Sequence, residues 1–303
     1  MSGAFDTGEP VNNGATSGKP RHQFLGFDVT LDWLLRPLFG FGLAGIAIAA
    51  MIYGGFYFAA FIAVGSIAAA REWHRMCAGK NYFPFWIVSS AGLISAAALE
   101  VAFAHSPNEP QRGLPWLMLS VCALINSALA SPRRADVLWH AAALLYIGVP
   151  ALCLVAIRET LPNGFWLLLA IFVSVWMTDT GALLAGNLLK GPKLWPALSP
   201  NKTWAGFVGG IVFGAAASVV LFAFIHGNIL YGAILGTVTA CVGHAGDLFE
   251  SLLKRKVGRK NSGSLIPGHG GVLDRIDSML FVAPVAAVLL LALHINPLIG
   301  AAP

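Results

Sequence analysis

Charged side chains are scarce in this 303-residue chain: Lys and Arg number 19, Asp and Glu 14, and together they make up 11% of the residues. Ordinary globular proteins carry about 25%. A soluble domain with so few charges and 57% hydrophobic side chains would expose wide apolar surface and aggregate. That excludes a soluble enzyme, a disordered chain and a DNA-binding domain. Cysteine is also sparse. Cys77, Cys122, Cys153 and Cys241 lie far apart and form no Cys-x-x-Cys pair, so they read as small buried apolar residues rather than metal ligands or disulfide partners. No apolar run promptly follows the charged start, so a signal peptide is not expected. Gly14 to Lys19 resembles a phosphate loop only superficially. Three residues separate its glycines where four are needed, and Pro20 stands where Ser or Thr is required.

What the chain has instead is long apolar runs, and its mean hydropathy is +0.72. They fall near 37–53, 54–70, 83–104, 114–130, 136–157, 164–188, 205–226, 228–251 and 278–299. A membrane helix takes about 20 residues, so the expected class is all-α, a polytopic membrane protein of about nine transmembrane helices. Residues 37–70 are too long for one straight span, and Gly54-Gly55 offers a hinge between two short ones. Three regions follow: 1–35, a mobile cytoplasmic tail; 36–163, about five N-terminal transmembrane helices; and 164–303, a catalytic transmembrane region with two cytoplasmic loops.

The distribution of cations supports that division. Nine alternating spans put Lys19, Arg21, Arg36, Arg71, Arg75, Lys80, Arg133, Arg134, Lys190, Lys193, Lys202, Lys254, Arg255, Lys256, Arg259, Lys260 and Arg275 on one side. Only Arg112 and Arg158 fall on the other. Cytoplasmic loops are enriched in Lys and Arg, so the N-terminus is expected in the cytoplasm and the C-terminus outside, in the cytoplasmic (inner) membrane of the cell.

Carboxylates inside or beside apolar runs mark function more often than packing, because a charge at the bilayer centre costs about 2.5–3.5 kcal/mol even on the mildest scale. Glu100 lies near the outer end of its run, where snorkelling or protonation accounts for it. Asp179 sits toward the cytoplasmic half of the sixth run. Asp247 shares a helical face with His244, Ser251 and Lys254, and that face ends at Lys254-Arg255-Lys256. Asp274 and Asp277 share a face if the last helix begins near Leu273. Three carboxylates on two helix ends, flanking a basic, glycine-rich loop, suit a hard cation such as Mg²⁺ and phosphoryl chemistry. The other polar loop offers Ser199, Asn201, Lys202 and Thr203 as anion-binding donors around Pro200.

These residues resemble the phosphatidate cytidylyltransferases (CDP-diacylglycerol synthases). The family's C-terminal pattern is Ser-x-apolar-Lys-Arg, four residues, Lys-Asp, a small-residue stretch, then apolar-Pro-x-His-Gly-Gly-apolar-x-Asp-Arg-apolar-Asp. Here Ser251, Lys254, Arg255, Lys260, Gly263, Ile266, Pro267, His269, Gly270, Gly271, Asp274, Arg275 and Asp277 stand at that spacing. Ser199 to Trp204 and Asp179 are similar to the family as well, so the likeness covers roughly 175–280. It departs at Asn261, where the family carries Asp; Asn keeps an oxygen but not the charge.

The resemblance implies transfer of CMP from CTP to phosphatidate, giving CDP-diacylglycerol and pyrophosphate. It implies Mg²⁺ held by Asp247, Asp274 and Asp277, with a second cation left open. Lys254, Arg255, Lys260 and Arg275 would neutralise phosphates, and Asp179, Ser199, Asn201, Lys202, Thr203 and the His269-Gly270-Gly271 turn would bind substrate. Membrane lipid is a partner, nucleic acid is not, and a homodimer is left open. Two rival readings are a CTP-dependent lipid kinase of the dolichol type and an ion-coupled transporter. A CDP-alcohol phosphotransferase is disfavoured, because its Asp-Gly-x-x-Ala-Arg and Gly-x-x-x-Asp-x-x-x-Asp spacing is absent.

Overall fold

The computed structural model describes residues 22–24, 27–29, 31–78, 81–106, 109–130, 134–196, 198–259, 262–263, 265 and 270–292. The described residues up to Leu43 form one compact unit and those from Ala44 onward a second. In the first, β1 (His22–Phe24) pairs antiparallel with β2 (Phe27–Val29), His22 opposite Val29, ahead of the start of α1 (Leu31–Tyr53). Both strands fall within residues 1–35, expected as a mobile tail, most of which lies outside the described residues.

Among the described residues the second unit is mostly helical, with one β-hairpin. It holds the rest of α1, then α2 (Gly55–Ala78), α3 (Phe83–Phe103), a single turn α4 (Glu109–Arg112) and α5 (Leu114–Ala130). Next, α6 (Arg134–Ala143) runs through a π turn at Leu144–Gly148 into α7 (Val149–Thr160), followed by α8 (Gly164–Leu189). A hairpin of β3 (Lys193–Trp195) and β4 (Ser199–Thr203) leads to α9 (Trp204–Phe224), α10 (Ile229–Lys256) and α11 (Leu273–Ala287), the last extended by a π turn at Val288–Ala292.

Among the described residues five helical stretches are long and apolar enough to cross a membrane: Phe83–Phe103, Val137–Thr160, Gly164–Leu189, Trp204–Phe224 and Ile229–Lys256. At about 1.5 Å per residue, the 26 residues of α8 reach about 39 Å, more than the ~30 Å hydrocarbon core. The protein is an all-α, multi-pass membrane protein.

Local chemistry sets the helix ends. Gly54 and Gly55 both take positive φ and break 31–78 into α1 and α2, as the hinge reading expected. The Arg158 guanidinium donates to the Met51 and Ile52 carbonyls at 2.7 and 3.3 Å, and the Gly55 amide donates to Glu159 Oε1 at 2.7 Å. A side chain at Gly54 would displace that guanidinium. Asn163, in the left-handed region, turns α7 into α8. Asn228 caps α10 by accepting from the Leu230 amide.

Apolar residues from many helices form two buried clusters. One gathers Phe58, Ile62, Leu167, Ile171, Phe222 and Val282; the other gathers Trp73, Leu93, Leu119, Leu144, Leu253 and Leu273. α8 packs closely on α9, where small residues bring the backbones together: a Cβ on Gly181 would lie 2.5 Å from Cβ of Phe213 and 2.9 Å from the Gly209 carbonyl. Close approach through Gly is characteristic of membrane helices, which lack a hydrophobic driving force between them.

Candidate active site

Polar ends of α8, α10 and α11 converge with the β3–β4 hairpin around a cavity of about 760 Å³. Hairpin register sets one wall. Lys193 pairs with Thr203 and Trp195 with Ser199, while the Trp204 amide closes on the Pro192 carbonyl at 3.1 Å. Thr203 then starts α9: its Oγ1 accepts the Gly206 amide at 3.1 Å, satisfying one of the free amides of the first turn. Lys202 reaches across the cavity and pairs with Asp247 of α10. His244, one turn earlier on α10, packs tilted against Phe207 with ring centres 4.9 Å apart.

On the opposite wall, Lys254 at the end of α10 lies between two acids. Its Nζ is 2.5 Å from Glu250 Oε2 and 2.8 Å from Asp274 Oδ1. Asp274, in the first turn of α11 ahead of its apolar run, also accepts the Gly271 amide at 3.0 Å and the Ser262 amide at 3.1 and 3.2 Å. Burial works against its charge, but the Lys254 hydrogen bond and these two amides outweigh it and hold the Asp274 carboxyl below the ordinary carboxylate range. Gly270 makes the turn before it with φ +86°, in the region that favours glycine. Asp277, one turn further on, stands within electrostatic reach of Asp247, Glu250 and Asp179.

The cavity brings together ten of the fifteen candidate site residues: Asp179, Asn201, Lys202, Thr203, Asp247, Lys254, Gly270, Asp274, Arg275 and Asp277. Ser199 lies at the far end of the hairpin and Arg255 is exposed; neither lines it. Gly271 is buried behind Asp274 as an amide donor. Lys260 and His269, with Asn261, Ile266 and Pro267, lie outside the described residues. Glu250 and Glu72 complete the ion and hydrogen-bond network but were not among the site residues expected. Among the described residues no three acids, imidazoles or thiols approach closely enough to hold a cation by themselves.

Fold and site together define a multi-pass membrane enzyme whose polar cavity combines acids and lysines at helix ends. The family model described as "Cytidylyltransferase family" matches residues 34–293, and the chain belongs to that family. It is 34% identical over 251 residues to the phosphatidate cytidylyltransferase of Staphylococcus aureus (strain COL), an alignment covering 80% of this chain and 92% of that one. The protein of the same description from Staphylococcus saprophyticus is 36% identical over 214 residues, covering 67% and 80%. The Staphylococcus epidermidis protein (strain ATCC 12228) is 34% identical over 251 residues, covering 80% and 92%.

Proposed function

We propose that this chain is a phosphatidate cytidylyltransferase, transferring CMP from CTP to phosphatidate to give CDP-diacylglycerol and pyrophosphate. The observation that carries the reading is the cavity itself. Acids of α8, α10 and α11 and the cations Lys202, Lys254 and Arg275 share one space of about 760 Å³, room enough for a nucleotide-sized ligand.

The donor set fits Mg²⁺. Asp247 and Asp277 supply hard oxygens, Asp179 stands beside them, and Asp274 is one turn from Asp277. Mg²⁺ takes one or two carboxylates and completes its shell with water and substrate phosphates, so no all-protein cage is needed. When bound there, the ion would neutralise charge on the triphosphate and its pyrophosphate leaving group.

The protein groups handle the rest. Phosphatidate carries a phosphate monoester, a dianion above a second pKa of about 6, so the attacking oxygen needs no general base. That oxygen forms a bond to the α-phosphorus of CTP as the bond from that phosphorus to the β-phosphate oxygen breaks, and pyrophosphate leaves with the electron pair. Lys202 and Arg275 balance phosphate charge from opposite walls. Lys254, held by Glu250 and Asp274, keeps the α10 and α11 ends in register. The Gly270-Gly271 turn lets backbone approach the phosphates closely.

We place the chain in the cytoplasmic membrane with nine spans and the cavity open to the cytoplasm. Support for this comes from the seventeen cations on one side and from the position of both polar loops there. Labelled CTP tests the activity. Detergent-purified protein with phosphatidate and Mg²⁺ incorporates α-label into lipid and releases β,γ-label as pyrophosphate. Transfer of γ-label to lipid marks a kinase instead, and label in neither with solute flux in vesicles marks a transporter.

A further inference from the structure

Glu72 belongs to α2, far in sequence from every residue of the cavity, yet its carboxylate meets the loop and helix that carry Asp274 and Asp277. It is 4% exposed, and Glu is almost never so buried without partners. Oε2 accepts the Leu273 amide at 2.9 Å and the Ser262 hydroxyl at 3.2 Å. Leu273 is the first residue of α11, and its N–H is one of the amides that no helix can satisfy internally. The residue before it is Val272, which makes no side-chain cap. The cap comes instead from a carboxylate 201 positions away, where the helix dipole also favours negative charge.

The surroundings are shaped for that carboxylate. Gly263 and Gly271 both lie against it, and a Cβ on either would collide with its oxygens. Leu273 is wholly buried in the cluster that contains Trp73, Ala69 and Ala70 of α2. A second tie lies nearby, where Arg259 donates to the Arg75 carbonyl at 3.5 Å. The end of α2 thus grips the 257–273 loop at both of its described ends.

We propose that Glu72 is a positioning residue for cytidylyl transfer: by capping α11 and holding Ser262, it sets where Asp274, Arg275 and Asp277 stand in the cavity. It touches neither substrate and acts through those residues. The inference rests on the reading that they form the active site.

The test uses full-length protein in detergent, as Glu72→Ala, Glu72→Gln and Ser262→Ala beside Asp277→Asn. It reads kcat, KM for CTP, Mg²⁺ dependence, thermal unfolding and hydrogen exchange across 262–275. Misplacement of reacting groups by about 1 Å costs on the order of 100-fold. Glu72→Ala is therefore expected to lose about that much in kcat, to need more Mg²⁺ and to exchange faster across 262–275. Glu72→Gln, whose amide oxygen can still accept from Leu273 and Ser262, is expected to recover most of the kcat. Unchanged kcat and Mg²⁺ dependence in Glu72→Ala overturn the proposal, even if exchange rises. Equal loss in the Gln and Ala variants, with unfolding lowered in proportion, overturns it too. Should Glu72→Ala not fold, faster exchange across 262–275 with lowered kcat in Ser262→Ala supports it, and wild-type behaviour there overturns it. Activity retained in Asp277→Asn sinks the underlying site reading, while exchange across 262–275 still reports whether Glu72 anchors the loop.

Discussion

Lys254 donates to Asp274 Oδ1 at 2.8 Å, joining the end of α10 to the start of α11 across twenty positions of chain. The loop between them carries much of the family motif, so this one hydrogen bond closes the segment into a ring. Its strength depends on Asp274 being ionised.

That dependence gives a pH signature. The folded-state pKa of Asp274 is depressed, with burial opposing and Lys254, Gly271 and Ser262 prevailing. Its stabilising contribution is therefore complete above the unfolded-state value near 3.9 and is lost as pH falls through that value toward the folded one. The unfolding temperature of Asp274→Asn is expected below wild type above about pH 5, with the margin shrinking below about pH 4. A gap that instead widens toward acid pH contradicts the assignment.

The Lys202–Asp247 pair separates activity from stability. Its side chains are 23% and 33% exposed, but the Lys202 Nζ itself is buried, so removing either partner leaves a charge that is partly desolvated. Asp247→Asn is expected to lower kcat by about 100–1000-fold, far more than its modest lowering of the unfolding temperature would account for. Lys202→Ala should act more on KM for CTP than on fold. Steady-state kinetics beside thermal unfolding check both; a variant of Asp247 with wild-type turnover removes it from the site.

Thr203 lines the cavity and also caps α9. Thr203→Ala is expected to destabilise by about 1 kcal/mol, and Thr203→Ser to restore most of it because the hydroxyl still accepts the Gly206 amide. Comparative thermal unfolding of the two decides whether the hydroxyl is occupied by the helix.

Two glycine substitutions should move stability in opposite directions. A methyl at Gly181 meets Phe213 and the Gly209 carbonyl, whereas one at Gly65 of α2 meets nothing within 4 Å. Gly181→Ala is expected to cost about 1–3 kcal/mol through overpacking. Gly65→Ala should be neutral or stabilising by up to about 1 kcal/mol. Unfolding in detergent at matched lipid content measures the contrast; equal effects would mean that α8 and α9 do not approach as described.

How legible this was in the sequence varied with the physics involved. Apolar runs the length of a bilayer announce helices directly, and the Gly54-Gly55 break was readable because no other residue pair so readily adopts two positive φ values. Asp247, Asp274, Asp277 and Lys254 were readable because they lie close together in sequence at helical spacing. Their division of labour was not. That Asp274 is taken up by Lys254 and two amides, while Asp247 pairs with Lys202 across the hairpin, depends on how the loops fold back. Glu250 showed only as a carboxylate at the edge of an apolar run, and Glu72 carried no local signal. Glu72 stands among Arg71 and Arg75, where it looks like a solvated acid in a basic turn, and only the packing of α2 against α11 gives it a partner. The β1–β2 pairing rests on two strands of three residues each, too short for an alternation to stand out.

Leu183 of α8 lines the cavity and is 65% exposed. Phosphatidate, a lipid, is delivered from the membrane, while CTP is delivered from water. The two substrates therefore reach one pocket from different phases: CTP at a concentration per volume of water, phosphatidate as a mole fraction of the surrounding leaflet. For the lipid, saturation is a two-dimensional property. Diluting phosphatidate with inert lipid or detergent slows the reaction at constant bulk concentration, and half-saturation for that substrate is properly expressed as a surface fraction.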